Sequence, residues 1–274
     1  MIVISCRRNF ESNIRFAEQI EVRNYPNLSN LGAFTPMSHG ALLDAVKGRH
    51  VAILVHGFKN PFKKDVAPAY RKVETALADH GLMGAGGYGL VLGFIWPGFQ
   101  TTPGFFPAVP HANRSAGHFR TLLKELARAA RSIDVQAHSL GSRVVLQAAA
   151  FKDELWIDNL MLIAPAVDNE CLEPKKEFHA TLDSCRRCIV YHSDKDTVLR
   201  LGYVIGTQDR ALGCRGPQRP QVIAKDCPEV FVVDCSTVVS THSGYRDEPG
   251  YFAHWKRVLG DEPLARFEKL QPAP

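Results

Sequence analysis

The chain has 274 residues, a length that a single α/β domain can occupy in full, and its 45% hydrophobic and 22% charged residues exclude a largely disordered protein. The net charge of +5, from 33 Lys and Arg against 28 Asp and Glu, is spread along the chain without a basic block, so we expect no nucleic-acid partner. There is no run of about 18 apolar residues to span a membrane, and the apolar residues 1–4 are followed by Cys6, Arg7 and Arg8 instead of a signal-peptide core, so we expect a cytoplasmic protein without stable membrane insertion.

Short apolar runs rich in β-branched residues recur along the chain and predict strands. Most are apolar almost throughout and do not alternate with polar residues, which is typical of strands covered on both faces of a sheet. The runs are residues 51–55, 90–95, 133–137, 160–164, 188–191 and 230–233.

Helix-length stretches lie between these runs. Residues 112–131 carry an apolar stripe at helical spacing, residues 142–151 predict a buried helix, and residues 65–80 and 249–259 predict two more. Strands that alternate with helices indicate parallel βαβ units. We therefore predict an α/β fold, a doubly wound and mostly parallel sheet with helices on both faces, formed by one domain over residues 1–274.

One stretch departs from this alternation. Residues 96–107 contain three prolines and three phenylalanines, a composition that argues against a regular helix or a central strand. Exposed aromatic rings are costly in water, so we expect residues 96–111 to form a loop folded onto the domain core or over a substrate pocket. Its candidate substrate-binding side chains are Trp96, Phe99, Phe105 and Phe106.

Residues 133–144 carry the most informative motif. A predicted strand runs into Ala137, His138, Ser139, Leu140 and Gly141, and a predicted helix follows at once. Small residues at both ends of this pentapeptide permit the sharp strand-to-helix turn known as a nucleophile elbow, which exposes the serine hydroxyl at the carboxyl edge of a sheet. The pattern predicts that Ser139 is a catalytic nucleophile.

This segment resembles the α/β-hydrolase superfamily, and the resemblance covers most of the chain. By that resemblance the fold is an α/β-hydrolase fold, and the backbone N–H groups of Phe58 and Leu140 form an oxyanion hole. The chain is most similar to an uncharacterised serine esterase or lipase-like family. The similarity rests on residues 56–58, 96–97, 137–141, 163–168 and 191–196.

A serine nucleophile needs a histidine base and an acid that orients this base, and in this superfamily the chain order is serine, acid, histidine. The predicted strand at residues 188–192 ends in a turn that contains Asp194 and Asp196. Asp196, followed by Thr-Val-Leu, matches the superfamily pattern better than Asp194. Asp168, after the preceding predicted strand, is a third candidate because some relatives carry their acid there.

Three histidines after Ser139 are candidates for the base. His192 comes before the acid at a predicted strand end, and His254 lies within a predicted terminal helix, so both are better explained by packing. His242 lies in a loop of small residues after the last predicted strand, where the superfamily carries its catalytic histidine. We therefore predict His242 as the base.

The cysteines suggest neither disulfides nor a metal. Their number, seven, is odd, and only Cys185 and Cys188 have metal-like spacing. A zinc site would need two more ligands, for which His179 and His192 are the nearest histidines. We expect no metal and no cofactor, because the protein itself supplies every group that the predicted chemistry needs.

Together these features predict a serine hydrolase that cleaves a small-molecule carboxylic ester or thioester through an acyl-enzyme. Aromatic residues of the 96–111 loop would line an apolar acyl pocket. An amidase or peptidase would use the same residues, and a non-catalytic α/β-hydrolase-fold binding module is a further alternative.

Overall fold

The structure is a computed structural model that describes residues 1–12, 14–58, 60–98, 105–150, 156–203 and 210–272. Within these ranges the strands form one sheet in the order β10-β9-β8-β7-β6-β4-β5-β1-β2-β3. The strands are β1 (Ile2–Arg7), β2 (Phe16–Asn24), β3 (Thr35–Met37), β4 (His50–Val55), β5 (Leu90–Ile95), β6 (Ser132–His138), β7 (Ile157–Ile163), β8 (Cys185–His192), β9 (Val230–Asp234) and β10 (Phe267–Lys269).

The sheet is mostly parallel. β2 pairs antiparallel with β1 and β3, and the remaining neighbours pair in parallel. The prediction of a mostly parallel sheet is confirmed. The six predicted strands correspond to β4 to β9, whereas β1, β2, β3 and β10 were not predicted.

Helices cover both faces of the sheet. In β5, Phe94 packs on Phe119 of one helix, with ring centroids 4.9 Å apart. A Cβ atom on the preceding Gly93 would lie 2.6 Å from the ring of Tyr70 on another helix. Successive residues of a strand point to opposite faces, so these two helices lie on opposite sides. The α-helices are α1 (His39–Val46), α2 (Ala67–Asp79), α3 (Phe105–Ala129), α4 (Gly141–Ala149), α5 (Leu212–Arg215), α6 (Pro220–Asp226) and α7 (Pro249–Leu259).

Three shorter turns matter for the site. A π-helical turn, Phe62–Val66, leads directly into α2, and a second one spans Val198–Tyr203. A 3-10 turn at Gly244–Asp247 follows the predicted base and leads towards α7. His80, at the end of α2, stacks on Phe252 of α7 with ring centroids 5.1 Å apart, so α2 and α7 share one face.

The prediction of a loop over residues 96–111 is wrong for its second half, because α3 begins at Phe105 and contains Pro107 and Pro110. Pro107 lies in the first turn, where helix N–H groups have no intrahelical partner, so its missing N–H costs no hydrogen bond. Pro110 removes a single hydrogen bond from a helix of 25 residues. Residues 99–104, with the predicted substrate contact Phe99, lie outside the described residues.

All seven cysteines are buried and unpaired. Burial raises the pKa of the Cys6 thiol in β1 to about 12 and that of Cys188 in β8 well above its ordinary value. The described ranges contain no cluster of three or more His, Cys, Asp or Glu side chains suited to a metal ion. In the same ranges, none of the helices combines the length and apolar character that crossing a membrane requires.

Candidate active site

Ser139 lies at the junction of β6 and α4, in a strained backbone conformation. Its φ of 54° falls in the left-handed region that non-glycine residues rarely adopt. The turn is held by hydrogen bonds from the Ser139 N–H to the Ile163 carbonyl (2.9 Å) and from the Ala166 N–H to the Ser139 carbonyl (3.2 Å). The residue is 7% exposed. This geometry is that of a nucleophile elbow.

Two glycines allow the loop after β4 to lie against this elbow. A Cβ atom on Gly141 would lie 2.3 Å from the carbonyl oxygen of His56, and one on Gly57 would lie 2.8 Å from the Cβ of Ser139. Both separations are too short for non-bonded atoms. The elbow and the 56–58 loop are therefore in contact, and glycine is required on each side.

The His242 ring contacts one of the three candidate acids. Its Nδ1 lies 2.6 Å from Oδ2 of Asp196, whose carboxylate is fully buried. The other carboxylate oxygen accepts the N–H of Leu199 at 3.0 Å. Asp194 is exposed, and Asp168 instead accepts the hydroxyl of Tyr203 at 2.7 Å. The contacts therefore favour Asp196 as the partner of His242.

The other two histidines have different surroundings. His254 is buried in α7, where its Nδ1 lies 2.8 Å from the Tyr191 hydroxyl, and its Nε2 faces Glu268 at 3.8 Å. His192 ends β8 with its Nδ1 buried and without a partner in the described part of the chain. Neither ring is hydrogen-bonded to Asp196 among the described residues, in line with a packing role.

A histidine that sequence reasoning passed over fixes the 242 loop beside the elbow. His138 donates its Nε2–H to the backbone carbonyl of His242 at 2.9 Å, and the two ring centroids are 4.8 Å apart. Burial, and then the neighbouring His242 and Arg246, lower the pKa of His138 well below its ordinary value. No hydrogen bond joins Ser139 Oγ to the His242 ring among the described residues, a bond that in unliganded triads is often long and tightens with substrate.

The two predicted oxyanion donors, the N–H groups of Phe58 and Leu140, each follow a residue of the close contact between Gly57 and Ser139. Leu140 is the N-cap residue of α4, where the first N–H groups of the helix have no intrahelical partner. Phe58 follows Gly57, whose carbonyl accepts Nδ1–H of His56 at 2.7 Å. The C=O and N–H of one trans peptide point in opposite directions. The His56 contact therefore fixes the direction of the Phe58 N–H.

Arg7 is the second residue that sequence reasoning missed. It is fully buried in β1 and donates to the carbonyls of Trp96 (2.8 Å) and Asn60 (2.9 Å). Its Nη2 also lies 3.1 Å from Nε2 of His56. Because arginine only donates, the Nε2 atom accepts and the proton of the neutral ring is on Nδ1. Arg7 and the backbone N–H of Trp96, which donates to the same Nε2 atom at 3.1 Å, together set the His56 tautomer that holds the Gly57 carbonyl.

Burial lowers the pKa values of both Arg7 and His56. It lowers the pKa of Arg7 to about 10. Burial and the Arg7 charge together lower the pKa of His56 well below its ordinary value, so the ring is neutral. The signal in the sequence was an arginine directly after the apolar residues 1–4 and Cys6, in a run that was not predicted as a strand.

The prediction that Trp96 binds substrate is wrong for this structure, because the ring has no exposed surface. It stacks on His56 with centroids 5.5 Å apart, and its indole N–H donates to the His56 carbonyl at 2.8 Å. Trp96 supports the 56–58 loop from behind. Phe105 and Phe106 begin α3, and their side chains are outside the described part of the structure.

Comparison with known proteins gives one family and several distant structures. A family model described as "Alpha/beta hydrolase of unknown function (DUF900)" matches residues 39–259, more than half of the chain. No curated protein matches the chain.

Three solved structures are similar to the chain at 10–12% identity. One belongs to a study of LipS and LipT, two metagenome-derived lipolytic enzymes, with 12% identity, a TM-score of 0.46 and coverage of 80% of this chain and 96% of that chain. The lin2722 gene product from Listeria innocua has 10% identity and a TM-score of 0.49 over 82% of this chain and 99% of its own. A lipase-esterase related protein from Clostridium acetobutylicum ATCC 824 has 12% identity and a TM-score of 0.32 over 82% and 86% of the two chains.

Proposed function

Because the chain belongs to this α/β-hydrolase family of unknown function, we propose that it is a serine hydrolase that cleaves a carboxylic ester or thioester through an acyl-enzyme. The observation that carries the proposal is the 2.6 Å contact between Asp196 and His242 at the sheet edge where Ser139 forms the elbow. A serine hydroxyl is a weak nucleophile until an oriented imidazole removes its proton.

The tautomer of His242 is the first requirement. Asp196 is an acceptor when ionised, so Nδ1 of His242 donates to it and the lone pair of Nε2 is free. In the proposed reaction Nε2 takes the proton of the Ser139 hydroxyl as Oγ attacks the carbonyl carbon. The tetrahedral intermediate then collapses, and His242 returns the proton to the departing alkoxide or thiolate.

Deacylation repeats these steps with water. His242 removes a proton from water, the hydroxide attacks the acyl carbon, and the bond to Ser139 Oγ breaks as Oγ regains a proton. In both halves the N–H groups of Phe58 and Leu140 would hold the negative oxygen. One such donor is worth about 10²–10³ in rate.

The test is labelling with a fluorophosphonate probe, with the adduct located by peptide mass spectrometry. We expect labelling of the wild-type protein at Ser139 and none in Ser139→Ala, whose turnover of short acyl esters should fall by about 10⁶-fold. Ser29→Ala, a change at an exposed serine, is the matched control and should label like the wild type. Equal thermal unfolding of the three proteins shows that the fold is intact. Undiminished labelling or turnover in Ser139→Ala would refute the proposal.

A second measurement addresses the bond that is cleaved. Matched ester and amide analogues with the same acyl group are compared for kcat/KM. We expect the ester to be preferred. A higher kcat/KM for the amide would change the assignment to an amidase that uses the same residues.

A further inference from the structure

A cavity of about 340 Å³ lies at the carboxyl edge of the central strands, a volume within the range of small-molecule sites. Neither Ser139 nor His242 lines it, but their chain neighbours His138 and Ser243 do. His56, two residues before Phe58, also lines it. The cavity is thus bordered by all three segments of the proposed active site, on the side covered by α2 and the Gly244–Asp247 turn.

The ionisable groups around this cavity are mostly basic. Three cationic side chains line it, Lys64, Lys72 and Arg246, against one carboxylate, Asp65. Lys72 forms an ion pair with Asp247, so its charge is already balanced. Lys64 is exposed and its charge is solvated.

Arg246 differs from the two lysines. It is half-buried, and its Nη2 donates to the Ser243 hydroxyl at 3.2 Å. In the described part of the chain it has no ion pair. Burial lowers its pKa, and the nearby Asp247, Tyr70 and Asp65 offset this only in part. A guanidinium has five N–H donors in a planar fork, so most of its donors remain available to a ligand in the cavity.

The neighbours of Arg246 make an anion the favoured ligand. His56 is buried and His138 is half-buried, and the pKa of each lies well below its ordinary value, so both rings are neutral and add no charge of either sign. A partly desolvated cation with no carboxylate partner gains most from a carboxylate or phosphate, which can accept two parallel hydrogen bonds from a guanidinium. A neutral acyl chain would leave this charge uncompensated.

We propose that this cavity, the Arg246 cavity, binds a carboxylate or phosphate of the substrate, so that the preferred esters are anionic. The inference rests on the proposed function and names its substrate class. It adds a binding surface with a cationic wall, which is separate from the apolar acyl pocket predicted for the 96–111 loop.

The first test compares matched esters that differ only in charge. In the first pair the acyl arm ends in a carboxylate (mono-4-nitrophenyl adipate) or in a neutral amide (4-nitrophenyl adipamate). In the second pair the alcohol arm carries the carboxylate (4-acetoxybenzoate) or the amide (4-acetoxybenzamide). For one of the two pairs we expect kcat/KM to favour the anion by about tenfold to hundredfold, the effect of a hydrogen bond to a charged group. Added salt should reduce the preference.

The variants separate Arg246 from general charge effects. Arg246→Gln should abolish the preference, so that kcat/KM falls much more for the anionic ester than for its neutral partner. Arg246→Lys should retain part of it. The matched control is Arg186→Gln, because Arg186 pairs with Asp261 at the opposite, amino edge of β8 and should not affect the preference. Equal kcat/KM for charged and neutral esters in the wild type, or an unchanged ratio in Arg246→Gln, would overturn the proposal.

A binding measurement does not depend on turnover. Thermal unfolding is followed with adipate, adipamide and inorganic phosphate, and we expect one or both anions to stabilise the wild type but not Arg246→Gln. Stabilisation by phosphate alone indicates a phosphorylated substrate, and stabilisation by adipate alone indicates a carboxylate. If an anion stabilises the protein but Ser139 is not labelled, the anion site stands and the proposed function fails. If neither anion stabilises it, the Arg246 cavity is not an anion site.

Discussion

Replacing Arg7 by Met tests whether the buried contacts of Arg7 with His56 and the neighbouring carbonyls position the Phe58 N–H of the proposed oxyanion hole. Methionine matches the length of the arginine stem but has no donors and no charge. In the wild type, Arg7 donates to the carbonyls of Phe10, Asn60 and Trp96 and to Nε2 of His56. The variant leaves these three carbonyls without their Arg7 donors. Of the two donors to His56 Nε2 only the Trp96 N–H remains, so the ring is held less firmly against the Gly57 carbonyl.

The expected loss of stability follows from these contacts. A buried acceptor without a partner costs about 1–3 kcal/mol, and the relief of a desolvated charge offsets part of the sum. We expect Arg7→Met to lower the free energy of unfolding by about 3 kcal/mol, equivalent to a fall in Tm of about 6–12 °C. The assay is therefore run well below the Tm of the variant.

The expected loss of activity follows from the Phe58 N–H. If the Gly57 peptide is no longer held by His56, up to one oxyanion donor is lost, or about 10²–10³ in kcat. KM should change little, because the donor acts mainly on the transition state. The affinity of a trifluoromethyl ketone, which forms a tetrahedral adduct, should fall by the same factor as kcat.

Two further variants separate positioning from general destabilisation. Arg187→Met removes another buried arginine, one that donates to Asn159 and to the Val258 carbonyl far from the elbow, and should lower Tm without lowering kcat. His56→Asn keeps a donor for the Gly57 carbonyl and should retain more activity than His56→Phe. Loss of stability in Arg7→Met with unchanged kcat and inhibitor affinity would refute the reasoning.

Three other predictions follow from the same geometry. Gly57→Ala brings a methyl group to 2.8 Å from the Cβ of Ser139 and should reduce turnover by 10²-fold or more while the protein still folds, and wild-type kcat would contradict the contact. Asp196→Asn should lower kcat by about 10⁴-fold by favouring the wrong tautomer of the base, whereas Asp194→Asn, a change at an exposed carboxylate, should retain activity. Burial raises the pKa of Asp134 from 3.8 to about 6, so its charged form is disfavoured in the folded state and the free energy of unfolding should fall by about 2 kcal/mol as the pH rises from about 4 to 6. Urea denaturation of Asp134→Asn should show a flatter pH dependence over that window, and an unchanged slope would assign it to other groups.

The central strands were predictable because the pattern that marks a buried strand lies within the residues of the strand itself. The runs that become β4 to β9 are apolar nearly throughout, as burial on both faces requires. β2 has a half-exposed pattern at the antiparallel end of the sheet, and β10 has only three residues, so neither carries a strong signal. β1 is fully buried, but it ends in Arg7, whose partners include carbonyls some 50 to 90 positions away in the chain. A charge that is satisfied by such distant groups looks like a surface charge in the sequence.

The same distinction applies to the site. The elbow around Ser139 is a strand, a tight turn and a helix in direct succession, so its local sequence was sufficient. The preference for Asp196 over Asp168 and Asp194 came from the resemblance to the superfamily, because which carboxylate faces His242 across the sheet edge depends on long-range packing. Trp96 was assigned to substrate because aromatic rings suit both cores and pockets, and packing against His56 decides between the two.

The buried thiols can be used to measure how often parts of this protein unfold locally. Because every cysteine is enclosed, a maleimide reacts only with molecules in which part of the fold has come apart, and the rate at each thiol reports how often its strand or loop separates from its neighbours. Cys6 reports on β1, which carries Arg7, and Cys188 reports on the centre of β8. Treating one sample with a fluorophosphonate and a maleimide would therefore give two measurements. The first reports the reactivity of the Ser139 hydroxyl, and the second reports how often the strands of the sheet separate.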